Sequence, residues 1–451
     1  MVIGPYEQIP MANGQTADLY LLRYDGDGRL LSPRTDAMLR QALPDATDVY
    51  LFSHGWNNVF DVALKRYRSF IHGFIQQRAE FKLPTPQNYK PILVGVIWPS
   101  TSFVLPSEAG PKIAAPPDAD GDEARQSEEM LTFVTESLGA DEQAQLAELV
   151  DGRTQLGADE ARQAAALVLG ALGDATDDES GAEPPDVDSL LAAWQAMDQA
   201  QGATPATAPV DDDDFGTVDS GGTTAGPQAA GFSLDPRNLL RAATMWKMKS
   251  RAGTVGAKGV SQLVRAVLDN DDTRLHLVGH SYGARVVLSA LATGGAPPNK
   301  AHSVLLLQPA INRWCFAPDV AGRGFKGGFN PVLDRVRQPV VTTFSSHDSP
   351  LTKFFHLAAV GKKHLGEPDV AAVGNTELYG ALGGFGPAGL GNLAATQKAL
   401  PPGNERYALN GGRRVIAVNG GVSLDGKPAI SNHGDISNPV TWWAMHCLTA
   451  P

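Results

Sequence analysis

The sequence predicts an α/β fold in which a doubly wound, mostly parallel central sheet carries a large acidic, partly helical insertion. Three observations lead to this prediction. Short, continuously apolar runs alternate with segments of helical period, a pattern typical of parallel strands covered by helices on both faces. Residues 104–234 interrupt the alternation with a composition rich in Ala, Gly, Asp, Glu and Pro. The alternation then resumes in residues 235–451.

The composition limits the class of protein. Of the 451 residues, 43% are hydrophobic and 19% are charged, which is typical of a globular protein with a substantial core. No apolar stretch approaches the roughly 20 residues of a membrane span, so we expect no transmembrane segment. Cys315 and Cys447 alone do not make a disulfide framework or a thiolate zinc site. The first residues lack the pattern of a secretory signal, which predicts a cytoplasmic protein and leaves export without a cleavable signal open.

Residues 1–103 are predicted to form the N-terminal part of the core. Residues 17–23 have the pattern of a strand, and 48–53 and 91–98 are apolar runs of the kind buried on both faces of a sheet. Between them, residues 59–81 carry apolar side chains at helical spacing.

The segment 104–234 is predicted to be an inserted cap or lid. It contains 27 acidic and 4 basic residues, whereas the remainder of the chain has a net positive charge. We expect this asymmetry to be neutralised within the protein rather than by nucleic acid, because no aromatic–basic motif accompanies it. Helices are predicted at about 123–138, 141–151, 158–172 and 186–200. The stretch 202–230 is predicted to be disordered.

The region 235–451 is predicted to complete the core. Its expected strands lie at 274–278, 302–307, 340–344 and 414–418. Its expected helices include a region around 239–246, a second at about 256–269 and a third at 282–293.

The pentapeptide GHSYG at 279–283 matches the pattern G-x-S-x-G. The pattern is weak alone, but here a predicted strand leads into it and a predicted helix leads out. A strand, a tight turn and a helix in this order form a nucleophile elbow, which holds its serine in a strained backbone conformation. Gly279 and Gly283 are needed because side chains there would collide with neighbouring backbone. We therefore predict Ser281 as a nucleophile; the alternative is a glycine-rich turn with an incidental serine.

The apolar run 48–53 ends in His54, Gly55 and Trp56. Together with the elbow, this segment resembles the α/β-hydrolase superfamily, in which an H-G-x segment after an early strand supplies one oxyanion-binding amide. The residue after the nucleophile supplies the second amide. The resemblance implies that the backbone N–H groups of Trp56 and Tyr282 bind the oxyanion. An ordinary turn at the end of a strand is the alternative for His54 and Gly55.

The resemblance covers about residues 48–100 and 270–440, and it extends loosely to bacterial esterase/lipase-like proteins. The insertion departs from the commonest plan of the superfamily. It follows the strand before the elbow strand, whereas many members place their cap at a later crossover. This position leaves open whether residues 104–234 act as a lid.

The superfamily orders its catalytic residues as Ser, acid, His along the chain. The predicted strand 340–344 ends in SSHDSP, which places Asp348 where the acid that orients the histidine is expected. Asp348 could instead cap a helix or stabilise a turn. Asp319 and Asp334 are weaker candidates because neither directly follows a strong strand.

Four histidines follow Asp348. His433 lies in the turn SNHGD beyond the last predicted strand, which is similar to the catalytic histidine loop of the superfamily, and we predict it as the general base. His356 follows the acid too closely, and His364 lies beside two lysines. His446 lies in an aromatic segment and is expected to pack in the core.

These residues predict a serine esterase or lipase-type hydrolase that cleaves carboxylic esters, lipid esters included, through an acyl-enzyme on Ser281. The mechanism needs neither a metal nor an organic cofactor. The acidic residues Asp118, Asp120, Asp122 and Glu129 have some of the spacing of a calcium loop but lack its central glycine. A non-catalytic binding module on the same scaffold and an exported lipase effector are the alternatives. The sequence carries no indication of oligomeric state.

Overall fold

The computed structural model of this protein describes most of the chain. The described residues are 3–11, 14–85, 88–100, 131–150, 153–172, 186–188, 190–192, 194–195, 234–355, 376–403 and 405–450. The predicted disorder at 202–230, the first part of the predicted helix 123–138, the four calcium-like acidic residues, His356 and His364 lie outside them.

Nine strands of the described residues form one sheet. In chain order the strands are β1 (Glu7–Pro10), β2 (Thr16–Arg23), β3 (Asp48–Ser53), β4 (Pro91–Ile97), β5 (Arg274–His280), β6 (Ser303–Leu307), β7 (Val340–Phe344), β8 (Ala394–Lys398) and β9 (Val415–Asn419). Their order across the sheet is β1-β2-β4-β3-β5-β6-β7-β9-β8. Only the β1–β2 pair of this sheet is antiparallel, so the predicted mostly parallel central sheet is confirmed. Two short strands, β10 (Ser423–Leu424) and β11 (Lys427–Pro428), form a separate pair.

Helices lie on both faces of the sheet. The α-helices of the described residues are α1 (Pro33–Ala42), α2 (Phe60–Glu80), α3 (Ala140–Val150), α4 (Ala158–Leu172), α5 (Pro236–Thr254), α6 (Ser261–Leu268), α7 (Tyr282–Ala292), α8 (Thr376–Tyr379), α9 (Leu382–Phe385) and α10 (Pro439–Thr449). A π-helical turn at Val255–Val260 joins α5 to α6, and a second lies at Pro350–Phe354. The bounds of β3, β7 and α4 are those predicted from the sequence. Among the described residues, no helix has both the length and the apolar character needed to cross a bilayer.

The continuous apolar run of β3 follows from its position in the middle of the sheet. Successive side chains of a strand point to opposite faces. Val49 and Leu51 accordingly join the core on the α7 side, and Tyr50 and Phe52 join the core on the α2 and α10 side. A strand covered on both faces therefore needs apolar side chains at every position.

The described parts of 131–234 form a third apolar cluster with α5. Leu146 of α3, Val168 of α4 and Leu240 of α5 are fully buried in it. Glu136 of this segment forms ion pairs with two side chains of α5. It lies 3.0 Å from Lys247 and 2.9 Å from Arg251. These contacts attach the helices of this segment to the helix that leads back into the sheet.

Candidate active site

The polar residues of interest follow the carboxyl ends of neighbouring parallel strands. His54 follows β3, Ser281 follows β5, Gln308 follows β6 and Asp348 lies just beyond β7. The loop that carries His433 follows β9 and the β10–β11 pair. Because parallel strands end at the same edge of a sheet, the topology brings these segments together.

Ser281 occupies the tight junction between β5 and α7. Its backbone has φ 53° and ψ −125°, a left-handed conformation that is costly for a residue with a Cβ. The Ser281 N–H donates to the carbonyl of Leu307, 3.1 Å away on the neighbouring strand. A Cβ at Gly279 would lie 2.6 Å from the Cα of Ala284, and one at Gly283 would strike the Ser53 carbonyl. The junction therefore requires both glycines.

The Ser281 side chain faces the loop after β3. A Cβ on Gly55 would lie 2.7 Å from the Ser281 Cβ, so the two backbones approach closely. The rings of Trp56 and Tyr282 are 6.3 Å apart, and Tyr282 is the first residue of α7. The two backbone segments predicted to bind the oxyanion therefore lie beside the serine, one of them at the positive end of a helix dipole.

His54 holds the β3 loop in place through both ring nitrogens. Its Nε2 accepts from the Trp98 N–H at 3.3 Å, so Nδ1 carries the proton that is donated to the Gly55 carbonyl at 2.9 Å. The ring stacks on Trp98 with a centroid distance of 5.5 Å. Burial lowers the pKa of His54 to about 4, so the ring is neutral near pH 7. The Tyr67 hydroxyl accepts from the His54 N–H and donates to the carbonyl of Val96.

Asn58 fixes the next turn of the same loop. Its side-chain amide donates to the carbonyls of Trp56 at 2.6 Å and Gly55 at 3.2 Å. The Ser100 hydroxyl donates to the Asn58 carbonyl and accepts from the Asn58 N–H. Asn57, which lies between Trp56 and Asn58 in the chain, has a positive φ of 56°. These contacts fix the orientation of the two peptide groups on either side of Trp56.

Asp348 and His433 form a buried hydrogen-bonded pair. The Nδ1–H of His433 donates to Oδ2 of Asp348 over 2.8 Å, and the carboxyl group is fully buried. The other oxygen, Oδ1, accepts from the Leu351 N–H at 3.0 Å. The carboxylate therefore both contacts the histidine and caps the following turn, which were the two roles open from the sequence. With Nδ1 protonated, Nε2 is the basic nitrogen of the ring.

His433 contacts His280, the residue that directly precedes Ser281. The two imidazole centroids are 4.9 Å apart, and Nε2 of His280 donates to the His433 carbonyl at 3.0 Å. The Ser281 hydroxyl has no hydrogen-bond partner within the described residues. The bond from this hydroxyl to the predicted base is therefore not formed in this conformation. Hydrogen bonds of this kind often tighten only in the substrate complex.

The loop around His433 is fixed by its own side chains. Asp435 Oδ2 accepts from the N–H and hydroxyl of Ser431 at 2.8 and 2.9 Å. Asn438, which caps α10, donates to Asp435 Oδ1 at 2.9 Å. The Ser345 hydroxyl, just after β7, donates to the carbonyl of Ile430 at 2.8 Å. The loop is thus attached both to α10 and to the strand end that carries Asp348.

The other candidates from the sequence have different surroundings. His446 is buried in α10, where its Nε2 donates to the Phe74 carbonyl and its ring stacks on Phe74. Asp319 and Asp334 are exposed. The glycine-rich segment 378–395 contributes Gly383, whose carbonyl accepts from the Ser345 N–H at 3.0 Å. The last residues of this segment belong to β8 at the edge of the sheet, a strand that the sequence did not predict.

The sequence reasoning did not identify Gln308, His280 or Asn58 as supports of the site. Gln308 directly follows the buried strand β6, and Asn58 lies in the loop after β3, so the strand-end position that indicated Asp348 could also have indicated them. In the part of the chain that the structure describes, no three His, Cys, Asp or Glu side chains are grouped as metal ligands.

Comparison with protein-family models, with curated proteins and with solved structures finds no match for this chain.

Proposed function

We propose that this protein is a serine hydrolase of the α/β-hydrolase type that cleaves carboxylic esters through an acyl-enzyme on Ser281. One observation carries the proposal. Ser281 sits in a left-handed backbone conformation at the start of α7, at the sheet edge that also holds the hydrogen-bonded Asp348–His433 pair. A glycine would adopt this backbone conformation at a lower energetic cost than a serine. A purely structural role therefore does not explain a serine at this position.

In the proposed reaction, Ser281 Oγ attacks the acyl carbonyl while Nε2 of His433 takes the hydroxyl proton. The resulting imidazolium is stabilised by the Asp348 carboxylate through Nδ1–H. His433 then protonates the leaving alkoxide, and the C–O bond of the ester breaks. Water deacylates the enzyme by the same route, with the proton passing through the same ring.

The oxyanion of the tetrahedral intermediate is assigned to the backbone N–H groups of Trp56 and Tyr282. The first turn of α7 adds the favourable end of its dipole. The contacts of His54 and Asn58 with the β3 loop support this assignment, since preorganised donors stabilise developing charge without moving during the reaction.

The mostly parallel sheet with the candidate residues at its carboxyl edge supports an α/β-hydrolase scaffold. The helices that pack on α5 support the interpretation of 104–234 as an inserted cap. Tyr282 donates its hydroxyl to the Met245 carbonyl of α5 at 3.3 Å, so the helix on which the proposed cap packs contacts the residue next to the nucleophile. A cap in this position suits esters with an apolar acyl chain, lipid esters included.

The proposal is tested with p-nitrophenyl esters of increasing acyl length. The wild type is compared with Ser281→Ala and with Ser346→Ala, a change at an exposed serine after β7. We expect hydrolysis by the wild type and by Ser346→Ala. Ser281→Ala should lose at least about 10³-fold in kcat.

Equal rates for Ser281→Ala and the wild type would remove Ser281 as the nucleophile. No hydrolysis of any ester by the wild type, together with no reaction with a fluorophosphonate, would favour a non-catalytic binding module on the same scaffold.

A further inference from the structure

The main-chain carbonyl of His433 accepts hydrogen bonds from two side chains that lie at the ends of two neighbouring strands. His280, the last residue of β5, donates through Nε2 at 3.0 Å. Gln308, the residue after β6, donates through Nε2 at 3.2 Å. A carbonyl oxygen has two lone pairs, so these two donors satisfy it.

Gln308 reaches further along the same loop. Its amide nitrogen also lies 3.4 Å from the Asn432 carbonyl and 3.3 Å from the Asp435 carbonyl. The two amide hydrogens are therefore shared among three carbonyls of one loop.

The orientation of the Gln308 amide is fixed by Thr343 of β7. The Thr343 hydroxyl donates to Gln308 Oε1 at 2.8 Å and accepts from the Gln308 N–H at 3.0 Å. With Oε1 engaged as an acceptor, the NH2 group must face the loop. Gln308 is fully buried and has φ 37°, a conformation that is unfavourable for a residue with a side chain. An apolar side chain at this position would leave the carbonyls of the histidine loop without the Gln308 donor.

His433 is thereby held at both ends. Asp348 restrains the ring through Nδ1, and Gln308 with His280 restrains the main chain. His280 directly precedes Ser281, so the link between the nucleophile turn and the histidine loop does not depend on the Ser281 hydroxyl.

We propose that Gln308 is a positioning residue that sets the place of the general base His433 relative to Ser281, with Thr343 orienting its amide. This inference rests on the proposed function. Gln308 does not touch the reacting atoms; it acts by holding the peptide of His433.

The test measures kcat per active site, with active sites counted by fluorophosphonate titration and turnover measured on a p-nitrophenyl ester. Gln308→Met keeps the length and packing of the side chain and removes the amide. Gln397→Met is the matched control, because the Gln397 amide also bridges a neighbouring segment, at Ala408, but on the sheet-edge strand β8. We expect kcat per titrated site to fall about 10- to 100-fold in Gln308→Met at unchanged KM, and to stay at the wild-type value in Gln397→Met.

A merely structural role would give a different result. Loss of folding lowers the number of titrated sites and leaves kcat per site unchanged. Wild-type kcat per site in Gln308→Met would therefore overturn the positioning role while leaving the hydrolase proposal intact. A wild-type protein that reacts with neither probe nor ester would overturn both.

A second pair of variants decides the question if Gln308→Met does not fold. Thr343→Val removes the hydroxyl that orients the Gln308 amide. Thr342→Val is its control on the same strand, because the Thr342 hydroxyl has no hydrogen-bond partner within the described residues. We expect kcat per site to fall several-fold to about 10-fold in Thr343→Val only. Equal values in the two variants would contradict the inference.

Discussion

The Nδ1 atom of His433 lies 2.8 Å from Oδ2 of Asp348, although 85 residues separate the two in the chain. Both groups are buried, and the carboxylate has a second donor in the Leu351 N–H. A buried carboxylate with two donors keeps its geometry, so the histidine has a fixed tautomer and a fixed ring plane. The predictions below follow from this pair and from the segments that hold it.

Asp348→Asn should preserve the fold and remove most of the activity. The asparagine oxygen can still accept from Leu351, but the pairing with Nδ1–H of His433 is lost and the wrong tautomer is favoured. We expect kcat to fall about 10³- to 10⁴-fold with a small change in KM. Asp334→Asn, at an exposed aspartate, serves as the control in the same ester assay. The expected fall is about 10³-fold or more, so an Asp348→Asn enzyme whose kcat lies within about threefold of the control value would rule out Asp348 as the orienting acid.

Gly283→Ala should destabilise the protein much more than Gly295→Ala. A Cβ at 283 strikes the carbonyl oxygens of Ser53 and His54, whereas a Cβ at 295 has no atom within 4 Å. Overpacking against fixed backbone costs about 1–3 kcal/mol, and an alanine in open space changes stability by about 0.5 kcal/mol or less. Urea unfolding of both variants measures the difference. Equal free energies of unfolding would show that the junction is looser than described.

Asn58→Ala should lower kcat because the peptide of Trp56 loses its support. The Asn58 amide donates to the carbonyls of Gly55 and Trp56, and without it the peptide proposed to bind the oxyanion at residue 56 is free to turn. We expect a fall in kcat of about 10- to 100-fold. Asn299→Ala is the control, since the Asn299 amide donates to the Leu268 carbonyl at the end of α6. If both variants have the same kcat, the β3 loop does not depend on Asn58 for its catalytic geometry.

The protein should lose stability as the pH falls from 7 towards 4. Burial lowers the pKa of His54 to about 4 and that of His446 to about 3. In the unfolded chain a histidine titrates near pH 6.5. Between about pH 6.5 and 4 the unfolded chain therefore binds protons that the folded chain does not, and acid favours unfolding. Each such histidine contributes up to about 1.4 kcal/mol per pH unit in that window.

Urea unfolding at several pH values between 7 and 4.5 measures this slope, and His446→Gln isolates one contribution. The glutamine amide can replace the donor to the Phe74 carbonyl but has no proton to gain. We expect a shallower loss of stability with falling pH in His446→Gln than in the wild type. Identical slopes would contradict the assignment of a depressed pKa to His446.

The elements predicted well from the sequence are those whose burial leaves a periodic pattern. The central strand β3 is apolar at every position because both its faces are covered, and α2 shows its buried face at helical spacing. The sheet edges were not predicted. β8 has the sequence AATQK, with no alternation and no apolar run, and it joins the sheet through backbone pairing with β9. β1 at the opposite edge is similarly short.

The candidate site divides in the same way. Ser281, Asp348 and His433 could be selected from the sequence because a motif, a strand end and a turn mark them. Gln308 and His280 act on the His433 carbonyl, and a main-chain acceptor leaves no mark in the side-chain sequence. Their roles depend on the side-by-side position of β5 and β6, which appears only in the folded sheet.

The most direct test of the central claim is the site of reaction with a fluorophosphonate. In this reaction Ser281 Oγ forms a bond to phosphorus, fluoride leaves, and His433 takes the hydroxyl proton. We predict a single stoichiometric adduct, located by peptide mass spectrometry on Ser281 in the wild type and lost in Ser281→Ala. An adduct on another residue, or an unmodified Ser281 in folded wild-type protein, would contradict the proposed mechanism.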